Sequence, residues 1–441
     1  MRLTLSLCLM LVFGIATLNA QSEKIQFEEY TLDNGLHVIL YPDNSTPIVT
    51  VSVMYHVGSK NEKVGRTGFA HFFEHLLFEG SENIDRGEYA KIVQAAGGQL
   101  NANTSNDRTF YFETLPSNQL ELGLWLESER MLHAKVDNKG VETQREVVKE
   151  ERRQRVENQP YGSVLEETFK RAYKEHPYRW PVIGYMEDID AATEQDYLDF
   201  YNTFYVPNNA ILSVAGDMDV AQAKEWINKY YGTIPRGKGE VYRPSVVEPP
   251  LTAEIRDTVY DNVQLPAVIQ SYRIPAQGTE DFYAVDMLSR LLSGGESSRL
   301  YKKLVDQDQT ALAVGSFPFQ MEDPGITIAF GIANMGVGLE DVESAMDKEF
   351  ERAQNELIPE REFQKLRNQI ESEFITQNST VQGIAENLAN YKMYFGDTNL
   401  INLEIDRYMA VTREDILAAA KKYFTKDNRV VLHYLPNPVK P

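Results

Sequence analysis

Two periods of apolar residues run along the chain and predict both strands and helices. One-by-one alternation of apolar and polar residues is typical of half-buried strands, and it occurs at residues 36–40, 50–57 and 109–113. Apolar residues that recur every three or four positions are typical of amphipathic helices, and they occur at 88–96, 118–133, 141–156 and 193–204. This mixture predicts the α+β class, with antiparallel or mixed sheets that carry helices mainly on one face.

The pattern recurs in the second half of the chain. When the chain is shifted so that Thr193 falls on Thr412, Asn209 falls on Asn428. Both stretches read as a capping Thr, an amphipathic helix, a turn that contains Asn and a strand. Two unrelated helix-to-strand transitions would give a similar match. Residues 47–53 and 266–271, however, both predict a strand that leads through a loop into a helix, so we expect two homologous domains.

A stretch rich in Pro and Gly separates the two halves. Residues 237–255 lack apolar periodicity, which is typical of a linker. The sequence therefore predicts an N-terminal domain at 21–236 and a C-terminal domain at 256–441.

The first 20 residues resemble a secretory signal. Arg2 precedes a mostly apolar run that ends near Thr17, and Ala20 lies at the expected cleavage site. The run is too short for a confident membrane span. Cleavage would remove Cys8, the only cysteine, and leave no disulfide and no thiol ligand. We expect an exported protein without a stable membrane anchor, located in the periplasm or, as the alternative, secreted.

The composition is that of an ordinary globular protein, with 42% hydrophobic and 25% charged residues. The formal net charge is −21, and this excess of acid argues against nucleic acid as a partner.

The segment that ends at His75 carries the clearest chemistry. His71, Glu74 and His75 form an H-x-x-E-H motif, and a helix would place all three side chains on one face. Two imidazoles there can bind one zinc ion, while the carboxylate can reach a water on that ion. Buried histidines satisfied by hydrogen bonds are the alternative. The chain has only 7 His in 441 residues, so this concentration favours a metal site.

Catalytic zinc usually takes three protein ligands, so the motif lacks one. Histidines elsewhere fall in strands, turns or helix ends, where structural roles are expected: His37, His56, His133, His176 and His433. Glu151 is the better candidate, because it shares the apolar stripe of its helix with Val147 and Val148. The alternative is a charged, solvated helix.

At this point the sequence resembles the pitrilysin and mitochondrial processing peptidase family of inverzincin zinc metallopeptidases, in its half-length, two-domain bacterial form. The resemblance covers nearly the whole mature chain and lies in residues 30–36, 65–75, 97–105, 145–151, 176–178 and 205–209. It implies one Zn²⁺ per chain, held by His71, His75 and Glu151, with Glu74 as general base.

The resemblance also implies a binding mode for peptide substrates. In the family an extended peptide adds a strand to a sheet edge. The corresponding residues here are Asn101, Ala102, Asn103 and Thr104.

Two positions depart from the family pattern. Gln144 stands where members commonly have a Glu, and it could orient a ligand histidine by hydrogen bonding. Val305 stands where fully equipped members carry an Arg, and no Tyr follows it. We therefore expect a dimer, in which a homologous subunit that has the Arg/Tyr pair contacts the substrate carbonyl.

Together these features predict a zinc-dependent endopeptidase that hydrolyses extended peptides. Superposing the ends of the two helices places Asp286, Ser289 and Arg290 opposite the motif, so the C-terminal domain is expected to lack metal ligands. Two other functions remain open: a zinc-binding, weakly active or inactive scaffold subunit of a processing complex, and an extended-peptide binding module with a structural metal.

Overall fold

The computed structural model describes residues 24–438, and the predicted signal at 1–20 lies outside them. The strands are β1 (Glu28–Thr31), β2 (His37–Pro42), β3 (Ile48–Tyr55), β4 (Gln99–Thr104), β5 (Thr109–Pro116), β6 (Ala210–Gly216), β7 (Ile255–Asp261), β8 (Ala267–Arg273), β9 (Ala311–Phe319), β10 (Ile326–Ala333) and β11 (Arg429–Pro436).

The helices are α1 (Phe69–Leu76), α2 (Tyr89–Ala95), α3 (Leu120–His133), α4 (Asn138–Arg152), α5 (Val164–Ala172), α6 (Met186–Ala191), α7 (Glu194–Phe204), α8 (Val220–Tyr231), α9 (Glu280–Ser293), α10 (Leu339–Asn355), α11 (Glu360–Gln377), α12 (Val381–Phe395), α13 (Glu404–Ala410) and α14 (Arg413–Tyr423). Among residues 24–438, no helix is long and apolar enough to cross a membrane.

The strands and helices predicted from periodicity are present, and their ends differ by a few residues. The largest shift is in α4, which begins before the predicted residue 141 because the Asp137 side chain accepts the Gly140 amide at 2.8 Å and caps the helix. After Arg152 the helix continues as a π-helical turn, Arg153–Glu157.

Two mixed sheets repeat one topology. The first has the order β1-β2-β6-β3-β5-β4 and the second the order β7-β11-β8-β10-β9. In each sheet one pair is parallel, β2 with β6 and β7 with β11, and the other pairs are antiparallel. Thr193 and Thr412 both start capping boxes, on α7 and α14. The α+β class and the two homologous halves are therefore confirmed.

Each half covers its own sheet on one face and lends a helix to the other half. Helix α12 of the second half packs on the free face of the first sheet, where Leu388 is buried with Met54 and Phe110. Helix α5 of the first half packs in the same way on the second sheet, with Phe169 buried against Ile269. Complete burial of such side chains contributes roughly 1.5–3 kcal/mol each, so the two halves form one packed unit.

The chain between Tyr231 and Ile255 contains no helix or strand. The predicted linker at 237–255 falls in this stretch, apart from its last residue. Its side chains bind the N-terminal half: Arg243 donates to the His56 carbonyl at 2.6 Å, and Glu248 accepts the His176 amide at 2.8 Å.

A buried lysine joins the halves by ion pairs. Lys60 lies 3.0 Å from Asp107, 2.5 Å from Glu322 and 3.1 Å from Asp323. His56 also lies 3.0 Å from Glu322. Although burial opposes ionisation, His56 and Lys60 lower the pKa of Glu322 to about 2.

Candidate metal centre

Glu62 supports the start of the helix that carries the H-x-x-E-H motif. The N-cap of α1 is Gly68, which has no side chain to cap the helix and a φ of 86°. A Cβ there would lie 2.7 Å from the Ile183 carbonyl oxygen, so only glycine fits. The buried Glu62 carboxylate instead accepts the amides of Gly68 at 2.8 Å and Ala70 at 2.9 Å. It therefore satisfies free N–H groups at the start of α1, and burial raises the pKa of Glu62 well above its ordinary value.

Aromatic contacts hold α1 against its neighbours. Tyr197 of α7 stacks on Phe72, with ring centroids 4.3 Å apart. The Tyr111 hydroxyl of β5 donates to the Phe73 carbonyl at 2.8 Å. These contacts limit rotation of α1 about its axis, and they fix which way its other face points.

On that other face the two histidines meet Glu151 of α4. His75 Nε2 lies 3.1 Å and His71 Nε2 lies 3.6 Å from one Glu151 carboxylate oxygen. Potential ligand atoms of the three residues all lie within 4.8 Å of one another, and among the described residues this is the group that could hold a metal ion. The structure thus brings together His71, His75 and Glu151.

The charges and free atoms of this group suit a cation. Burial, with help from His75, lowers the pKa of His71 to about 4, so His71 is neutral near pH 7. Hydrogen bonding from His75 holds the pKa of Glu151 below its ordinary value. The Glu151 oxygen nearest the imidazoles is buried, and within residues 24–438 it has no close polar neighbour other than the two histidines. Two imidazoles and one carboxylate are a donor set that zinc accepts.

Glu74 lies near His75 and Glu151 but is outside the group that could hold a metal. Burial raises its pKa above the ordinary value, and the nearby Thr104 hydroxyl and His75 oppose that rise. A partly buried carboxyl with a raised pKa, next to a metal-binding group, is suited to proton transfer.

Gln144 makes no hydrogen bond to the histidines of the motif, although the sequence predicts that it could orient one of them. Its amide donates to Glu79, which also binds Arg86. Neither His71 nor His75 is a hydrogen-bond partner of Gln144, and the buried Nδ1 of His71 has no partner among the described residues. An orienting role for Gln144 stays a prediction.

The four residues expected to bind substrate lie on an edge strand. β4 pairs only with β5 in the part of the chain that the structure describes. Asn101 and Asn103 are exposed, Ala102 is buried and Thr104 is half-buried, which is the alternation of a strand with one covered face. The outer side of β4 is therefore a free sheet edge, along which the Ala102 amide donates to the Asn101 side chain at 2.9 Å.

The prediction that Val147 is buried is wrong, and the sequence analysis does not predict roles for Arg155 and Glu62. Val148 is fully buried, but Val147 is 44% exposed, so Glu151 shares the buried stripe with Val148 alone. Arg155 lies 2.7 Å from the second Glu151 oxygen, and its spacing of four residues could have indicated it. Glu62 could have been found only as an acid shortly before a helix that starts at Gly68.

The fold is α+β, and the group on α1 carries the H-x-x-E-H signature that is typical of inverzincin metallopeptidases. Comparison with known families gives two matches, to the models described as "Insulinase (Peptidase family M16)" at residues 37–184 and "Peptidase M16 inactive domain" at residues 191–370. The chain belongs to peptidase family M16, which confirms the resemblance found in the sequence.

Similar proteins span nearly the same length. The zinc protease PqqE of Helicobacter pylori is 33% identical over 98% of this chain and 98% of its own. The uncharacterized zinc protease YmxG of Bacillus subtilis is 24% identical over 92% of this chain and 97% of its own. A crystal structure of a protease from Helicobacter pylori has a TM-score of 0.89 at 31% identity and covers 93% of this chain and 100% of its own.

Proposed function

We propose that this protein is a zinc-dependent endopeptidase that cleaves extended peptides or unfolded segments. The proposal rests on the close approach of His71, His75 and Glu151. Glu74 lies on α1, the helix that carries both histidines. The names of the similar proteins support zinc and proteolysis.

In this proposal His71, His75 and Glu151 hold one Zn²⁺ per chain. When bound, zinc would polarise the scissile carbonyl and would make a water molecule acidic enough to lose a proton near neutral pH. The Glu74 carboxylate accepts that proton as the water attacks the carbonyl carbon. Glu74 then gives the proton to the leaving amine as the C–N bond breaks, which restores its starting state.

The edge of β4 would hold the substrate. The outer N–H and C=O groups of Asn101, Ala102, Asn103 and Thr104 pair with an extended peptide, so the interaction depends on main-chain atoms. The Thr104 hydroxyl is near Glu74, which supports an arrangement with the reacting carbonyl at the Thr104 end of β4.

A partner subunit would complete the site. Val305, which stands in the position of the expected Arg, is partly buried against the core of the second half and offers no donor to an oxyanion. We propose a dimer with a homologous subunit that carries the Arg/Tyr pair. Addition of such a subunit should raise cleavage above that of this chain, whereas strong proteolysis by the pure chain would contradict this arrangement.

The same missing donor favours one rival function. A zinc-binding, weakly active or inactive scaffold subunit of a heteromeric processing complex would also lack the Arg/Tyr pair. Zinc content and cleavage of an unstructured peptide library, with and without a chelator, distinguish the two functions, because the scaffold binds zinc but leaves the library intact.

We also propose export to the periplasm. The proposal rests on Arg2, the apolar run after it and Ala20. Mass spectrometry of the N-terminus in the periplasmic fraction should find Gln21 first, and an intact Met1 in the cytoplasmic fraction would contradict it.

A further inference from the structure

A network of polar side chains joins the end of α1 to the start of α4. It consists of Glu79, Arg86, Asp137 and Gln144, and we call it the Glu79 clamp. Glu79 is buried; one of its carboxylate oxygens accepts the Gln144 amide and the other accepts the Arg86 guanidinium. A second nitrogen of Arg86 donates to both oxygens of Asp137, at 2.8 and 3.0 Å. The clamp therefore binds α4 at two points, Gln144 and Asp137.

Glu79 is attached firmly to the helix that carries the histidines. That helix ends at Leu76, and the chain continues from it as a hydrogen-bonded turn. The Phe78 amide donates to the His75 carbonyl at 3.1 Å, and the Glu79 amide donates to the Leu76 carbonyl at 3.0 Å. A displacement of Glu79 would therefore be transmitted to His75.

The other side of the clamp fixes the first turn of α4. Asp137 is the N-cap of α4 and accepts the Gly140 amide at 2.8 Å. A Cβ at Gly140 would lie 2.8 Å from the Arg86 guanidinium and 3.2 Å from the Leu76 side chain. Glycine thus lets α4 approach α1 closely at this point.

The clamp is in register with the candidate metal ligands. Gln144 precedes Glu151 by seven residues, nearly two helical turns, so both side chains lie on one face of α4, about 10 Å apart along its axis. Glu79 follows His75 by four residues. The contact between Glu79 and Gln144 therefore sets the position of α4 at which Glu151 lies 3.1 Å from His75.

Both connections depend on the Glu79 carboxylate. The Oε1 atom of Gln144 is buried and has no hydrogen-bond partner within residues 24–438, so the bond to Glu79 is what orients this amide there. Without that carboxylate, Gln144 would lose its partner and Arg86 would lose its link to α1. Buried polar groups without partners are costly, so α4 would shift or loosen.

We propose that Glu79 is a positioning residue of the metal centre, which holds α4 at the distance from α1 that lets Glu151 share a metal ion with the two histidines. Glu79 itself lies outside the group that could hold the ion. This inference rests on the proposed zinc site, because it concerns how the ligands are held. Loss of a supporting partner of ligand residues lowers metal affinity roughly 10- to 100-fold.

Metal binding can be measured without turnover. Zinc affinity is determined by competition with a chelator, and bound Co²⁺ reports the ligand arrangement through its visible absorption, which depends on coordination geometry. We expect Glu79→Ala to bind zinc roughly 10- to 100-fold more weakly and to change the Co²⁺ spectrum. Glu82→Ala is the matched control, because the Glu82 side chain is 73% exposed, and it should bind both ions as the wild type does.

Exchange of the two contacting side chains tests the contact itself. Gln144→Glu alone places two carboxylates against each other, so zinc affinity should fall. Glu79→Gln combined with Gln144→Glu restores the bond, because the new amide donates to the new carboxylate while its oxygen still accepts Arg86. The double variant should therefore bind zinc more tightly than Gln144→Glu.

Denaturant unfolding separates positioning from stability. A lower free energy of unfolding in Glu79→Ala, with the zinc affinity and Co²⁺ spectrum of the folded protein unchanged, would mean a purely structural role and rejects the inference. A double variant that binds zinc no better than Gln144→Glu also rejects it, and this comparison decides if Glu79→Ala does not fold. Wild-type protein that binds neither ion rejects the proposed zinc site and this inference with it, so the two failures are distinguishable.

Discussion

Glu62 caps the helix of the metal centre through the backbone amide of Gly68, which lies 2.8 Å from its carboxylate. We expect Glu62→Ala to lower the free energy of unfolding by about 1–3 kcal/mol, because buried N–H groups lose their acceptor. Zinc affinity should fall as well, because the first turn of α1 positions His71. Denaturant unfolding and zinc titration measure the two effects.

The variant Glu62→Gln tests whether α1 depends on the hydrogen bonds that Glu62 accepts or on its charge. Its amide oxygen still accepts a hydrogen bond, so its effect on unfolding should be smaller than that of Glu62→Ala. The exposed Glu82 (73% side-chain exposure) gives the control Glu82→Gln, which should leave both measurements unchanged. An equal loss in all three variants would contradict the capping role.

Glu151 and Glu150 are neighbours, but only Glu151 should contribute to zinc affinity. Glu151 faces the imidazoles, whereas the Glu150 side chain is 54% exposed and lies 3.2 Å from Arg153. Glu151→Gln should lower zinc affinity by at least about tenfold, an effect comparable to losing an outer-shell partner or larger. Glu150→Gln should bind zinc normally. Isothermal titration of zinc checks both, and equal affinities would exclude Glu151 as a ligand.

The ion-pair cluster around Lys60 predicts acid-sensitive contact between the halves. The pKa of Glu322 falls from 4.5 to about 2 on folding, so its contribution to stability is complete above pH 4.5 and is lost as the pH falls through 2. At pH 7 Glu322→Gln should cost about 1–3 kcal/mol. The loss should shrink between pH 4.5 and pH 2.

Denaturant unfolding at a series of pH values tests this window. Glu360, whose side chain is 71% exposed and pairs loosely with Arg413, supplies the control Glu360→Gln. A cost of Glu322→Gln that stays constant from pH 7 to pH 2 would exclude the lowered pKa as its cause.

Sequence patterns alone were sufficient to predict features that depend on residues close to one another along the chain. The capping boxes at Thr193 and Thr412 and the shared face of His71 and His75 follow from helix geometry alone. Glu151 was found because it lies one turn after the buried Val148.

Other features depend on distant parts of the chain and could not be predicted in this way. Placement of α12 on the first sheet and of α5 on the second is decided by tertiary packing, since amphipathic helices show which face is buried but not against what. The capping role of Glu62 and the bond from Gln144 to Glu79 require the path of the loops between them.

The central claim is that His71, His75 and Glu151 hold zinc for hydrolysis with Glu74 as the base. The most direct test compares wild-type protein and Glu74→Gln in zinc content and in cleavage of an unstructured peptide library. We expect about one zinc per chain in both proteins, as the three ligands are intact. Cleavage should be measurable and chelator-sensitive in the wild type and at least about 100-fold slower in Glu74→Gln. Zinc-free wild-type protein, or equal cleavage by both proteins, would contradict the claim.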